Sequence, residues 1–205
     1  MKKQTKKFVY LISPSKIKNN LFFQNLKLVL KSNKVSYFQL RLKRETTKKK
    51  LTIAKKISKI CKENNVKFII NDDPYLALKV NADGCHLGQK DMNITKAKKI
   101  LKNKIIGITC HNSIKLAKNA SKYGASYIGL GAFYKSETKK INIKSNIKTL
   151  RQIKKSVNLP VVAIGGINEK NYKKLLLNKT DFLAISGYIW NNKKFKPEQA
   201  IKKLK

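Results

Sequence analysis

The chain has 205 residues, 41% of them hydrophobic, which is enough for one sizeable core and short for two. Its formal net charge is +38, from 48 Lys and Arg against 10 Asp and Glu. All but three of the basic residues are lysines, spread over nearly every segment, whereas proteins that read nucleic acid favour arginine. We therefore predict a single domain over residues 1–205, with lysines on solvated helix faces and no nucleic-acid partner.

Eight short apolar runs, rich in β-branched and aromatic residues, recur along the chain and predict strands. In chain order they are FVYLI (8–12), VSYFQL (35–40), VKFII (66–70), GCHL (84–87), IIGIT (105–109), SYIGLG (126–131), PVVAIG (160–165) and DFLAIS (181–186). Segments with helical spacing lie between them, such as LTIAKKISKICKEN (51–64) and SIKLAKNASKYG (113–124). Continuously apolar strands are buried on both faces, as parallel strands are, so eight βα units predict an α/β fold, a single (β/α)8 TIM barrel. An open doubly wound sheet is the alternative.

The cysteines and the apolar segments indicate the compartment. Cys61, Cys85 and Cys110 are odd in number and form no CxxC pair, which predicts neither a disulfide framework nor a zinc site. The apolar run at 8–12 is too short for a signal-peptide core, and no segment has the apolar length of a membrane span. We predict a cytoplasmic protein with no membrane partner.

Two acidic residues follow neighbouring predicted strands. In a parallel barrel, ligand-binding groups gather where strands end at their C-terminal side, so the carboxylates of Asp72 and Asp91 can converge on one cation. Mg²⁺ commonly takes one or two carboxylates plus substrate phosphates, and we therefore predict a Mg²⁺ site at these two residues. Asp73 is expected to cap the next helix instead, because it precedes Pro74. Asp83, before a glycine, is expected in a turn.

Small residues follow the last two predicted strands, at the usual place of a barrel's phosphate site. They are Gly165-Gly166 and Ser186-Gly187, where backbone N–H groups can reach an anion. Arg41, Lys43 and Lys139 would add cationic contacts at the same rim, suited to a diphosphate leaving group.

The two histidines, His86 and His111, lie near the predicted rim without a nucleophile or metal-ligand partner at readable spacing. A packed or hydrogen-bonded role is therefore favoured over acid–base chemistry for both. Trp190 and the tyrosines are interpreted as packing residues.

Together these segments resemble the thiamine phosphate synthase family, also called thiamine-phosphate pyrophosphorylases. The matching pieces, in family order and at family-like spacing, are QLRLK (39–43), NDD (71–73), ADGCHLGQKD (82–91), GITCH (107–111), YIGLGAFYKSETKK (127–140), VVAIGGI (161–167) and AIS (184–186). As a set these motifs are specific, although Gly-Gly and AIS alone recur in many phosphate-binding barrels. The resemblance covers nearly the whole chain.

The resemblance implies a transferase that joins hydroxymethylpyrimidine diphosphate to thiazole phosphate, forming thiamine phosphate and releasing pyrophosphate. In the family, the C–O bond to the diphosphate breaks early and the thiazole nitrogen captures a pyrimidine carbocation, so no side-chain nucleophile is needed. Mg²⁺ at Asp72 and Asp91 is the implied cofactor, and the implied catalytic residues are Arg41, Thr109 and Lys139.

Two sets of binding residues carry over by motif. The pyrimidine diphosphate would be held by Gln39, Arg41, Lys43, Asn71, Thr109 and Lys139. The thiazole phosphate would be held by Ser136, Glu137, Thr138, Gly166, Ile185 and Ser186. Both substrates are small molecules, and a homo-oligomer stays open.

The chain also departs from the family pattern. Leu42 and Lys90 stand where the family often has acids, and Thr109 replaces a common Ser but keeps its hydroxyl. Ala132 and Lys135 replace prolines of the loop before residue 136, which leaves that loop less preordered and bears on its closure rather than on the reaction type.

Three alternative functions are compatible with parts of this pattern. A related thiazole tautomerase looks similar across the barrel but lacks the paired metal carboxylates, so Asp72 together with Asp91 favours the synthase. A degenerate barrel would bind thiazole phosphate without catalysis. A basic nucleic-acid-binding protein would show salt-sensitive retention on DNA.

Overall fold

The computed structural model describes residues 7–135 and 144–205. The strands are β1 (Val9–Ile12), β2 (Val35–Leu40), β3 (Lys67–Asn71), β4 (Gly84–Leu87), β5 (Ile105–His111), β6 (Tyr127–Gly131), β7 (Val161–Ile164) and β8 (Phe182–Ile185). The helices are α1 (Leu21–Leu30), α2 (Thr47–Glu63), α3 (Pro74–Lys79), α4 (Ile94–Leu101), α5 (Ile114–Lys122), α6 (Ile147–Ser156), α7 (Tyr172–Leu177), α8 (Gly187–Trp190) and α9 (Pro197–Lys203). The eight strands are parallel and close into a barrel in chain order.

The predicted TIM barrel is confirmed. The alternative open sheet is excluded, because β1 pairs with β8 in the register of Leu11 with Ile185. An open doubly wound sheet would leave its two edge strands without a partner on one side. Closure removes both edges, and it brings the carboxyl ends of all eight strands to one rim.

Side chains that alternate along the strands divide the core into two parts. Inside the barrel lies a small cluster that includes Tyr10, Tyr127, Val162 and Ala184. A much larger cluster fills the space between the outer faces of the strands and the helices. Glycine makes room for the aromatic residues inside, because a Cβ on Gly107 would lie 1.9 Å from the Tyr127 ring.

Polar side chains begin several helices. The Asp73 carboxylate accepts a hydrogen bond from the Leu76 N–H at 2.9 Å, with Pro74 in the first helical position, so its predicted capping role is confirmed. Thr46 caps α2 in the same way, and this is why α2 begins at Thr47, earlier than its apolar pattern indicates. Asp83 precedes β4 and accepts from the Phe68 N–H at 2.8 Å, which ties this turn to β3.

The three cysteines and the tryptophan all lie in buried or partly buried positions. Cys61, Cys85 and Cys110 are free, buried thiols. The indole N–H of Trp190 donates to the Ile12 carbonyl at 2.7 Å. Its ring packs against Phe22 and the core outside the strands, as expected of a packing residue. No helix within residues 7–135 and 144–205 combines the length and the apolar character needed to cross a membrane.

Candidate active site

Amide side chains join the ends of β2 and β3. Gln39 Nε2 donates to Asn71 Oδ1 at 3.0 Å, and Gln39 is buried although it is polar. A buried amide needs partners, so this bond holds both side chains at the mouth of the barrel. The side-chain oxygen of Gln39, Oε1, and the side-chain NH₂ group of Asn71, Nδ2, still have hydrogen-bonding capacity for a ligand.

The predicted acid pair is brought together at the ends of β3 and β4. Asp72 has a φ of +64°, in the left-handed region that Asp tolerates, and its N–H donates to the His86 carbonyl at 2.8 Å. Asp91 Oδ2 accepts from the Gly88 N–H at 2.7 Å. Burial and a hydrogen bond with the Asp72 carboxyl raise the pKa of Asp91. The two carboxyl groups are therefore close enough to act on one cation.

A lysine contacts this pair. Lys43 Nζ lies 2.8 Å from Asp72 Oδ2, so its positive charge offsets the negative charge of Asp72. In the described part of the chain, no group of three or more His, Cys, Asp and Glu side chains could hold a metal. Two carboxylates fit Mg²⁺, which keeps its other positions for water and substrate phosphate.

Thr109 and His86 form the next part of the rim. His86 Nε2 lies 2.7 Å from Thr109 Oγ1, and His86 Nδ1 lies 2.9 Å from the Tyr127 hydroxyl. Burial lowers the pKa of His86 to about 4, an effect that Asp91 opposes and Arg41 reinforces. His86 is thus a neutral, hydrogen-bonded residue, as the sequence predicted, and Arg41 lies within electrostatic range of it.

The loops after β6 and β7 pack backbone against backbone. The Tyr134 N–H donates to the Gly165 carbonyl at 3.2 Å. Gly166 has a φ of +60°, and a Cβ there would lie 2.2 Å from the Lys135 carbonyl oxygen. Glycine is therefore required at Gly166 for loop packing, in addition to any contact with a phosphate.

A serine that sequence analysis did not single out connects three strand ends. Ser13 Oγ accepts from the Arg41 N–H at 2.9 Å, and the Ser13 carbonyl accepts from Ser186 Oγ at 3.1 Å. Ser13 is 3% exposed, so these bonds are shielded from water. Because Ser13 directly follows β1, the rule that selected residues after the other strands would also have found it.

Of the remaining predicted site residues, one is buried in the core and four lie outside the described residues. The Ile185 side chain is buried in the core between strands and helices, so only its backbone can face the rim. Residues 136–143 lie outside the described chain, and with them four predicted site residues, Ser136, Glu137, Thr138 and Lys139.

A cavity of about 290 Å³ adjoins Asp72, one member of the acid pair. Lys43 and Asp72 form part of its wall, and Leu40, Ile70 and Leu76 form another part. Leu40 and Ile70 belong to the core outside the strands, so this cavity lies beside the barrel mouth rather than on its axis.

The fold defines the class of the protein, a TIM barrel, and the residues described above lie at a candidate site on the C-terminal rim of the strands. The family model described as thiamine monophosphate synthase matches residues 9–189. The chain belongs to this family.

Individual relatives match this chain over almost its full length. The thiamine-phosphate synthase of Pelagibacter ubique is 64% identical over 203 residues, which cover 99% of this chain and 98% of the relative. That of Clostridium acetobutylicum is 37% identical over 195 residues, 94% of this chain and 92% of the relative. A solved thiamine phosphate pyrophosphorylase from Pyrococcus furiosus has a TM-score of 0.84 at 31% identity and covers 98% of this chain and 95% of its own.

Proposed function

We propose that this chain is a thiamine-phosphate synthase that condenses hydroxymethylpyrimidine diphosphate with thiazole phosphate. The observation that carries the proposal is the Asp72–Asp91 pair at the mouth of the barrel, in a chain that matches synthases over nearly its whole length. The same pair favours the synthase over the tautomerase alternative. The net charge of +38 suits two anionic substrates and an anionic product.

The pyrimidine diphosphate would bind across the ends of β2 to β5. Gln39 and Asn71, fixed by their mutual hydrogen bond, would present amide groups to the pyrimidine ring. Arg41 and Lys43 would contact the diphosphate, with Thr109 on the β5 side. The Arg41 backbone is anchored on Ser13, so its side chain starts from a fixed point.

Asp72 and Asp91 would hold Mg²⁺ against the diphosphate. When bound, Mg²⁺ supplies positive charge that stabilises the departing pyrophosphate. Cation binding favours the ionised form of Asp91, reversing the effect of burial and of its neighbour Asp72. Lys43, which contacts Asp72 in this structure, would then be released to contact the diphosphate.

The thiazole phosphate would bind on the opposite side of the mouth, at Gly166 and Ser186. The Gly166 N–H makes no hydrogen bond to other residues in the described ranges, and it would donate to the phosphate. In the reaction, the C–O bond to the diphosphate breaks and its electron pair leaves with pyrophosphate. The thiazole nitrogen lone pair then forms the new C–N bond, so no protein nucleophile is required.

Incubation of the purified protein with both substrates and Mg²⁺ tests the proposal. We expect thiamine phosphate and pyrophosphate in equal amounts, detected by mass spectrometry and a pyrophosphate assay. The Asp72→Asn/Asp91→Asn double variant is the matched control, because it keeps the shape of both side chains and removes both charges. A tautomerised thiazole as the only product would establish the tautomerase instead, and binding of thiazole phosphate without any product would establish a degenerate barrel.

A further inference from the structure

Four hydrogen-bonded side chains run from the barrel interior to the rim. The Tyr10 and Tyr127 hydroxyl oxygens are 2.6 Å apart. Tyr127 continues to His86 Nδ1 at 2.9 Å, and His86 Nε2 to Thr109 Oγ1 at 2.7 Å. Tyr10 and Tyr127 are each 2% exposed, and neither they nor His86 have a task in the reaction described above.

Close packing holds these rings in place. The Tyr127 ring stacks on His86 with centroids 5.6 Å apart, and it tilts against Tyr10 at the same centroid distance. A Cβ on Gly107 would penetrate the Tyr127 ring, and one on Gly129 would lie 3.4 Å from His86 Cε1. Close packing therefore prevents the Tyr10, Tyr127 and His86 rings from turning toward other hydrogen-bond partners.

The direction of the hydrogen bonds along this row of side chains follows from the number of donor hydrogens. Within residues 7–135 and 144–205, Tyr127 is the only hydrogen-bond partner of the Tyr10 hydroxyl. In one arrangement, Tyr10 donates to Tyr127, Tyr127 donates to His86 Nδ1, and His86 Nε2–H donates to Thr109 Oγ1. Every hydrogen then has an acceptor, and the hydroxyl hydrogen of Thr109 remains free.

The other arrangements leave a buried donor unsatisfied. If His86 carried its hydrogen on Nδ1, it would donate to Tyr127, and one of the two tyrosine hydrogens would then have no acceptor. A doubly protonated imidazole meets the same obstacle, because its Nδ1–H must also donate to Tyr127. An unsatisfied donor in a dry interior costs its full desolvation, which favours the first arrangement.

We infer that Tyr127 is a positioning residue that fixes His86 as the Nε2–H tautomer, so that Thr109 directs its only hydroxyl hydrogen into the site. The tautomer depends on the geometry alone. The acceptor of the Thr109 hydrogen, an oxygen of the substrate diphosphate, rests on the proposed function. A donor fixed before the substrate arrives needs no reorganisation as charge develops on the leaving group.

The tautomer can be observed directly by nitrogen NMR of protein labelled with ¹⁵N-histidine. The chain has two histidines, so a His111→Asn variant assigns both, and Asn tolerates the positive φ of residue 111. For the ligand-free protein near neutral pH we expect a protonated Nε2 and an unprotonated Nδ1 on His86. A hydrogen on Nδ1, or on both nitrogens, would overturn the inference.

Two matched substitutions separate tautomer control from packing. Tyr127→Phe removes the donor to Nδ1 and should give a mixture of His86 tautomers. Tyr10→Phe removes a hydroxyl from the same buried pair, but the Tyr127 hydrogen still has only Nδ1 as its acceptor, so His86 should stay Nε2–H. An unchanged tautomer in Tyr127→Phe, or an equal change in both variants, would contradict the proposal.

Kinetics test the last step. Tyr127→Phe should lower kcat/KM for the pyrimidine diphosphate in proportion to its fraction of Nδ1–H tautomer, from about 2-fold for an equal mixture toward about 10-fold for complete loss of the hydrogen bond. Tyr10→Phe should change it little. The effect should not add to that of Thr109→Val, because both variants lose the same donor. Additive losses would overturn the inference. An unchanged kcat/KM in Thr109→Val would also overturn it at this step, while synthase activity itself would stand.

Discussion

Asp72 and Asp73 are adjacent in the chain but lie in different environments. Asp72 turns through the left-handed region toward Asp91 and Lys43, whereas Asp73 caps α3. The cap was predictable from the following proline, and the acid pair from the rule that strand ends share a rim. The contact with Lys43 was not predictable, because it depends on how two loops are placed relative to each other.

Neutralising either carboxylate of the proposed Mg²⁺ site should abolish most of the activity. We expect Asp72→Asn and Asp91→Asn each to lower kcat at least about 100-fold, because charge compensation is needed most as pyrophosphate leaves. The double variant should be only slightly worse, since two ligands of one ion act as a unit. Asp73→Asn is the control, because Asn still caps a helix. Wild-type kcat and Mg²⁺ dependence in Asp72→Asn would refute the metal assignment.

Asp91→Asn should also make the metal-free protein more stable at neutral pH. Burial and Asp72 raise the pKa of Asp91, so folding favours its protonated form. That contribution is present below the ordinary Asp pKa of about 4 and is lost as pH rises through the raised value. Thermal melts of both proteins without Mg²⁺ should therefore converge at acid pH and separate above it. A variant less stable than wild type at pH 7 would contradict this.

Other details of the site depend on distances that sequence does not carry. Gln39 and Asn71 were expected to bind the same substrate, but their mutual hydrogen bond requires the register of β2 on β3. The partners of His86 come from β5 and β6, 23 and 41 residues further along the chain. A pattern in one segment cannot show that its side chain meets another at 2.7 Å.

The close packing of the loops after β6 and β7 predicts the effect of a substitution at Gly166. Gly166→Ala should cost about 1–3 kcal/mol of stability and raise KM for thiazole phosphate, because its Cβ would strike the Lys135 carbonyl. Gly124→Ala is a matched control: φ is +78° there, but the Cβ meets only the flexible end of Lys98. Chemical denaturation and kinetics with each substrate measure both effects. Equal losses of stability in the two variants would show that the loop contact is unimportant.

The strands were easier to predict than the helix ends. Each strand is a short apolar run between turn residues, and parallel strands buried on both faces differ sharply from lysine-rich helices. β5 nevertheless continues to His111, two residues beyond its apolar run, because a register shift lets its polar end pair with β6. The start of α2 was missed because Thr46 and four residues after it carry no apolar signal.

For the whole molecule, the net charge of +38 should make stability depend on salt. Mutual repulsion of lysines opposes the compact state, and salt screens it as the Debye length falls from about 30 Å at 0.01 M to about 10 Å at 0.1 M. We expect the melting temperature to rise over this range of NaCl. Glucose at equal osmolarity should not reproduce the rise, and a flat or falling curve in NaCl would contradict the prediction.

The bonds from Ser13 to Arg41 and Ser186 have a consequence for synthesis on the ribosome. The chain's first and last strands meet at this serine, so the support of Arg41 is complete only after β8 has left the exit tunnel. Domains that finish early in translation can begin to work while later segments are still being made. Here, a nascent chain halted before residue 181 would already contain Gln39, Asn71, Asp72 and Asp91. It would lack β8, the strand that closes the barrel. Such a fragment should be an unfolded substrate for quality control rather than a partly active enzyme.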